Sequence, residues 1–434
     1  MSQPYGKYLF ILFFAFWGVN GFAQTNTISN PTNGRENDPY SRYGIGELVN
    51  GNNASIRGMA NLTSAYENPF EVNSDNPASY SYLQRTTFEA AFTASTRTIN
   101  GAGLSYTTGT ASIAYLNLGI PINKHAGMCL GFKPVSHTYY SLVDTIISPI
   151  GQTARSYNGE GSVNYAYLGG AYRFHDLSIG FNLGYMFGTI QNNTAVVPID
   201  SAQINRAYTA EYNNFTRLGG LNWKAGVMYE HKIDSQYSFR IGGTVTISQN
   251  LNEQFSSYQV SAYNFGDTIV NDTTSNSGTQ RGKLTMPLTY SIGFMLNRDQ
   301  KWSLGLDYTS TKWSQFNSNP DVSKNVNIAS NAYKIALGGQ YTPDFNSIRN
   351  YFSRVTYRLG AYYGTDYLNI SGTAIPYYGF TAGVSLPFRR SISQLHAAID
   401  IGKLGTSSLI QETYFRFTLG FSINDKWFIP KKYD

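Results

Sequence analysis

From about residue 86 to the C-terminus the chain divides into about fourteen strand-like segments, and the connectors between them alternate strictly between short and long. The short ones lie near 122–125, 173–176, 232–236, 297–300, 343–350 and 389–394. The long ones cover roughly 97–109, 142–159, 192–214, 250–281, 312–330, 365–373 and 404–411, and they are rich in Asn, Ser, Thr and Gly. An even-numbered meander with tight turns at one end and long loops at the other is how a bacterial outer-membrane barrel is built, with turns in the periplasm and loops outside. The expected fold is all-β: a transmembrane antiparallel up-and-down β-barrel of about 14 strands over residues 86–424, with a short periplasmic tail at 425–434.

Period-two patterning supports that expectation strand by strand. Leu177, Ile179, Phe181, Leu183 and Tyr185 alternate with Ser178, Gly180, Asn182 and Gly184. Trp302, Leu304, Leu306 and Tyr308 oppose Ser303, Gly305, Asp307 and Thr309, and Phe415, Phe417, Leu419 and Phe421 oppose Arg416, Thr418, Gly420 and Ser422. The segment at 104–120 alternates least. A soluble sandwich also alternates, but its strands are shorter and its connectors do not sort into two length classes. Mean hydropathy is −0.29, with 13% charged and 15% aromatic residues. That is too polar for a helical membrane protein and unusually aromatic for a soluble one; a barrel reconciles the two, because aromatics collect at both interfaces. The lone Cys129 cannot form an internal disulfide, and it reads as a small buried apolar residue.

The N-terminus carries a secretion signal pattern over residues 1–23: Lys7, an apolar run at 8–17, and Gly21 and Ala23 placed for cleavage before Gln24. A membrane anchor is the competing reading, but the run is short of the about 20 residues a spanning helix needs. Residues 24–85 do not join the barrel pattern. They are rich in Asn, Gly, Ser and Pro, yet also contain Tyr43, Ile45, Leu48, Met59, Tyr66 and Phe70. A barrel of about fourteen strands leaves a lumen that side chains alone need not fill, so this stretch is expected to be a compact lumenal hatch, or plug. The alternative is a disordered periplasmic tail.

Three passages resemble the FadL-type long-chain fatty acid transporter family of Gram-negative outer membranes, in a Bacteroidetes-like branch. One runs from Arg57-Gly58-Met59 through Thr63-Ser64-Ala65 to the hatch motif Asn76-Pro77-Ala78. Another is Met286-Pro287-Leu288-Thr289-Tyr290 followed by Trp302 to Tyr308 and Lys312-Trp313-Ser314; the third runs from Arg358-Leu359-Gly360 to Trp427-Phe428. The resemblance implies outer-membrane localisation and uptake of hydrophobic or amphipathic small molecules through a hatch-gated lumen, with lateral release through a gap in the wall. It also allows a second role, since some barrels of this type look like docking components of protein secretion or surface attachment, with protein partners at the extracellular loops.

The residues nominate sites as follows. Gly131 and Pro134 interrupt the third strand and are the candidate wall kink, because proline cannot donate a ladder hydrogen bond and glycine weakens a strand. Lys224, Arg240, Lys334, Arg358 and Arg416 fall on the small and polar phase of their strands and are candidate lumenal clamps for a carboxylate, against the alternative that they pair with inward acids or with the hatch. No catalytic or metal site is expected. His125, His137, His175, His231 and His396 are scattered, no G-x-S-x-G elbow is present, and His396 with Asp400 is the best pair, without an assignable Ser. No cofactor is implied. The formal charge of +6 comes without a strong basic run, which argues against a nucleic-acid partner and leaves the outer-membrane bilayer and a hydrophobic ligand.

Overall fold

A computed structural model describes residues 37–427 except 50, 102, 149–150, 200–208, 266–267 and 390. The expected signal peptide and most of the C-terminal tail lie outside the described residues. Fourteen antiparallel staves close on themselves. They are β1 (Thr86–Gly101), β2 (Leu104–Pro121), β3 (Ala126–Ser148), β4 (Gly151–Phe174), β5 (Leu177–Pro198), β6 (Thr209–Lys232), β7 (Tyr237–Thr246 and Gln249–Phe265), β8 (Thr268–Met286 and Thr289–Arg298), β9 (Trp302–Thr311), β10 (Ala332–Tyr341), β11 (Thr356–Ile370), β12 (Thr373–Pro387), β13 (Gln394–Gly405) and β14 (Gln411–Asp425). Pairing of β14 with β1, from Gln411 opposite Asn100 to Asp425 opposite Thr86, completes the ring. A closed ring leaves no unpaired edge at membrane depth, the condition under which strands can span a bilayer.

Burial is inverted relative to a soluble protein. On β5, Ile179 and Phe181 are 51% and 43% exposed, while Ser178 and Asn182 between them are 0% and 1% exposed. The apolar phase therefore faces lipid and the polar phase faces the interior, which is what alternation in an outer-membrane barrel encodes.

The connectors depart from expectation. Much of the sequence at 97–109, 142–159 and 250–281 is strand and not loop: β3 and β4 are joined at 149–150, and β7 and β8 at 266–267. Above the membrane both faces of a strand are wet, so its residues need not alternate, and Asn/Ser/Thr-rich strand looks like loop. Staves β3 to β6 run 22 to 24 residues, whereas β9 and β10 run 10. Together with the upper parts of β7 and β8, the long staves raise one side of the wall as a sheet.

Residues 37–85 lie within the ring. Their short elements are a 3-10 helix at Pro39–Arg42, the two-residue strand Glu47–Leu48, the helical turn Ala54–Arg57 and a 3-10 helix at Pro77–Tyr82. Asn53 and Asn76 cap the last two, accepting from Ser55 N and Ala78 N. Met59, Leu62, Tyr66, Val72 and Tyr80 are fully buried against the inner wall or one another.

Candidate functional site: the lumen and the breaks in its wall

The hatch-motif residues meet the wall at two glycines. Asn76 Nδ2 donates to Ser64 O and Val227 O, tying two parts of the N-terminal segment to β6. Pro77 starts the 3-10 helix where its missing N–H costs nothing. A Cβ on Gly180 of β5 would collide with the Pro77 backbone, and one on Gly226 of β6 would collide with Asn76 Oδ1. The motif needs this close approach, and glycine on the facing staves permits it.

The five nominated cations all reach the N-terminal segment. Lys224 Nζ lies 3.1 Å from Asp75, which Lys133 also holds at 2.7 Å. Arg240 pairs with Glu67 and, at 3.0 Å, with Glu230. Lys334 Nζ donates to Ala60 O at 2.8 Å. Arg358 pairs with Glu71 at 3.4 Å, and Arg416 with Glu47 at 2.6 Å. Bracketed by Arg97 and Arg416, Glu47 is held near pKa 2: burial pushes it up, and the two guanidiniums more than offset that. Asp75 is lowered in the same way by Lys133 and Lys224. Sequence alternation could locate these cations but not their partners in the N-terminal segment, which lie 149 to 369 residues away.

Around the candidate kink the wall comes apart. The β2–β3 ladder extends only from Pro121 opposite Gly127 to Leu116 opposite Phe132, although both staves continue upward. Pro134 marks a register shift between β3 and β4, and Gly131 is bare because Tyr167 and Asn117 fill the space a Cβ would take. The N-terminal segment takes the place of β2 on the freed edge of β3. Glu47 and Leu48 pair with His137 and Ser136, Val49 N donates to Val135 O, and Asp38 N donates to Tyr139 O, both at 2.9 Å. Asn37 touches both sides of the break, donating to Thr108 Oγ1 on β2 and to Ser141 O on β3. An ion cluster backs this latch: Arg97 of β1 holds Asp38 at 3.2 Å, Glu47 at 2.7 Å and Glu412 of β14.

A second break follows Pro287. Above it β8 stops pairing with β9 and meets only Asn317–Ser318. Residues 312–331 fill this opening: Trp313 stacks on Tyr367 with ring centroids 4.2 Å apart, and Lys324 donates to Thr216 Oγ1 at 2.9 Å.

Two cavities adjoin these features. One of about 290 Å³ is lined by aromatic residues, Trp313, Tyr333 and Tyr377, and by Lys224, Lys334 and Arg416 with the acids Glu47 and Asp75. The other, about 490 Å³, opens at the first break, where Asp38 and Glu47 meet Thr110 of β2, His137 of β3 and Glu160 of β4. His396 does not associate with Asp400. Its Nδ1 and Nε2 hydrogen-bond Ser385 and Ser422 at 2.6 and 2.9 Å, while Asp400 accepts from Tyr362. All three members of that serine–histidine group are buried. Among the described residues no three His, Cys, Asp or Glu side chains converge as a metal site.

A fourteen-stranded closed barrel, greasy outside and polar inside, with its N-terminal segment filling the lumen, is an outer-membrane barrel of the FadL type. More narrowly, a family model described as BamG matches residues 6–434, and the chain belongs to that family. Among solved structures it is similar to the Pseudomonas putida toluene transporter TodX (13% identity, TM-score 0.58, covering 86% of this chain and 98% of that one). It is also similar to the CymD monoaromatic hydrocarbon channel (12%, 0.54, 87% and 98%) and to a Pseudomonas aeruginosa FadL homologue (13%, 0.54, 86% and 98%). At these identities the likeness is one of fold. A comparison with curated proteins finds no match.

Proposed function

We propose that this protein, delivered by a cleaved signal peptide, takes up hydrophobic or amphipathic small molecules of the long-chain fatty acid kind across the outer membrane. The carrying observation is the interrupted β2–β3 ladder, whose free edge is covered by a removable segment of the chain itself. The aromatic and cationic walls of the 290 Å³ cavity suit an apolar body with a carboxylate head. A carboxylate arriving there would compete with Glu47 for Arg416. Losing that partner loosens the latch along β3, and Gly131 and Pro134 mark where the wall would then part, so that the solute leaves sideways without crossing water. In this reading residues 24–85 are the hatch, Asn76-Pro77-Ala78 is its fulcrum, and the five cations act as hatch fasteners, Lys334 through Ala60 O and the other four through acids that a ligand can replace.

Specific observations favour a second reading, docking of a protein partner. The raised parts of β4 and β6 to β8 are rich in Asn, Ser, Thr and Gln, and the first break is lined by polar and charged groups such as Glu160, Thr189 and Gln191. Native mass spectrometry of protein purified from its own outer membrane separates the two. Co-purified amphiphile lost in Arg416→Gln supports uptake; a stoichiometric protein partner with an empty lumen overturns it in favour of docking.

A further inference from the structure

At the end of the barrel opposite the raised sheet, the connectors are not alike. The turns at 122–125, 175–176, 233–236 and 299–301 are tight, and Asn123 and Asp234 close two of them with side-chain acceptors. The connector between β10 and β11, residues 342–355, is far longer and ends in the 3-10 helix Phe352–Arg354. It presents Ile348 at 98% and Phe352 at 70% exposure, with Tyr351 beside them. In water such a cluster would be costly, yet none of the described residues covers it.

Its position says what does. Tyr357, on the lipid-facing phase of β11 and paired with the exposed Tyr341, donates its hydroxyl to Phe352 O at 3.2 Å. That bond places the connector on the outer side of the wall, continuous with the apolar belt that the staves present to lipid. Tyr351 packs edge-on to Phe352 with centroids 5.9 Å apart, and the Arg354 guanidinium lies 5.4 Å from the Tyr351 ring centroid. Arg354 is half-buried, its Nε covered by protein without a hydrogen-bond partner among the described residues, so that its outer guanidinium nitrogens are the ones left to reach a headgroup. Arg349 is exposed in the same connector, and the neighbouring connector at 388–393 adds exposed Phe388, Arg389 and Ile392. Exposed aromatics and aliphatics interleaved with arginines are the composition that lies in a membrane interface, rings among the upper acyl chains and guanidiniums among phosphates.

We propose that residues 342–355 form an interfacial foot that lies in the periplasmic leaflet and holds the phosphate headgroups of anionic phospholipid through Arg349 and Arg354. The foot anchors the low side of the barrel and sets its depth there, independently of what the lumen carries.

The test uses the full chain in nanodiscs of phosphatidylcholine alone or in equal mixture with phosphatidylglycerol. An environment-sensitive dye is attached at Ile348→Cys, or at Ser235→Cys in the tight β6–β7 turn as control; the native Cys129 is buried and does not label. The Ile348 position is fully exposed, so the substitution leaves the fold intact. The expected result is blue-shifted emission at 348, quenched by nitroxide-bearing lipid, with neither effect at 235. Retention of phosphatidylglycerol through mild delipidation should fall about fivefold for each of Arg349→Gln and Arg354→Gln. Unquenched dye at 348 overturns the proposal, whether it reports water or a contact with protein, and so does phosphatidylglycerol retention indifferent to both arginines.

Discussion

The wall is broken in two places, and the two seals are built from different physics. The break between β2 and β3 is covered by residues 37–49, a segment near the start of the chain. It is held by strand-like hydrogen bonds and by the buried charges Arg97, Asp38, Glu47 and Glu412. The break above Pro287 is covered by residues 312–331, which are covalently tied at both ends to adjacent staves and packed through Trp313, Phe316 and Tyr367. The second seal's buried ion pair, Lys324 with Asp321, lies wholly within the loop, and the loop is tied at both ends, so exchanging that partner would not free it. A charged seal can exchange one carboxylate for another. The comparison teaches that a barrel can contain a static flaw and a switchable one, and that the chemistry of the filling decides which is which.

The contrast breaks most sharply with a covalent lock. Leu48→Cys with Ser136→Cys, register partners across the first break, should form a disulfide that abolishes uptake of a fluorescent fatty acid and restores it on reduction. Uptake unaffected by the lock would remove the first break from the transport path. Next, Arg97→Gln leaves buried carboxylates without their cation and should destabilise the latch by about 3–5 kcal/mol, seen as faster hydrogen exchange at residues 37–49 with the staves still protected. Phe316→Ala, in the second seal but outside the 290 Å³ cavity, should cost a similar amount, about 3–5 kcal/mol, but as lowered thermal stability with uptake unchanged; a gain in uptake would mean that the second seal also gates.

Acid should produce the smallest and most selective effect. The Glu47 carboxyl is depressed to about 2 in the folded protein. Its contribution is therefore fully present above the ordinary carboxylate pKa near 4 and is lost as pH falls toward 2. Limited proteolysis at residues 37–49 should rise over that window, while the loop at 312–331 stays resistant.

The barrel was legible because period-two alternation is a local property: whichever staves pair, Ile179 and Phe181 must face one way and Ser178 and Asn182 the other. The upper wall was not legible. Strand at 142–159 and 250–281 is rich in Asn, Ser, Thr and Gln, carries little hydrophobic alternation, and reads as loop until pairing is seen. Around the candidate site the same division holds. Gly131 and Pro134 announce themselves because glycine loosens its own backbone and proline removes a ladder donor, and the inward phase of Arg358 or Arg416 follows from its neighbours along the strand. That Arg358 meets Glu71 and Arg416 meets Glu47 does not, for those pairings join residues hundreds of positions apart.

The sequence alone thus determined the class of fold, the number of staves and which side chains turn inward, since these follow from backbone hydrogen bonding and side-chain period. Only the tertiary structure decided that β3 leaves β2 after Phe132, that the chain's own N-terminal segment covers the exposed edge, and that each inward cation is already paired. Those outcomes depend on what closes against what once the ring is formed, and burial of charge between distant segments has no signature in the residues that precede or follow.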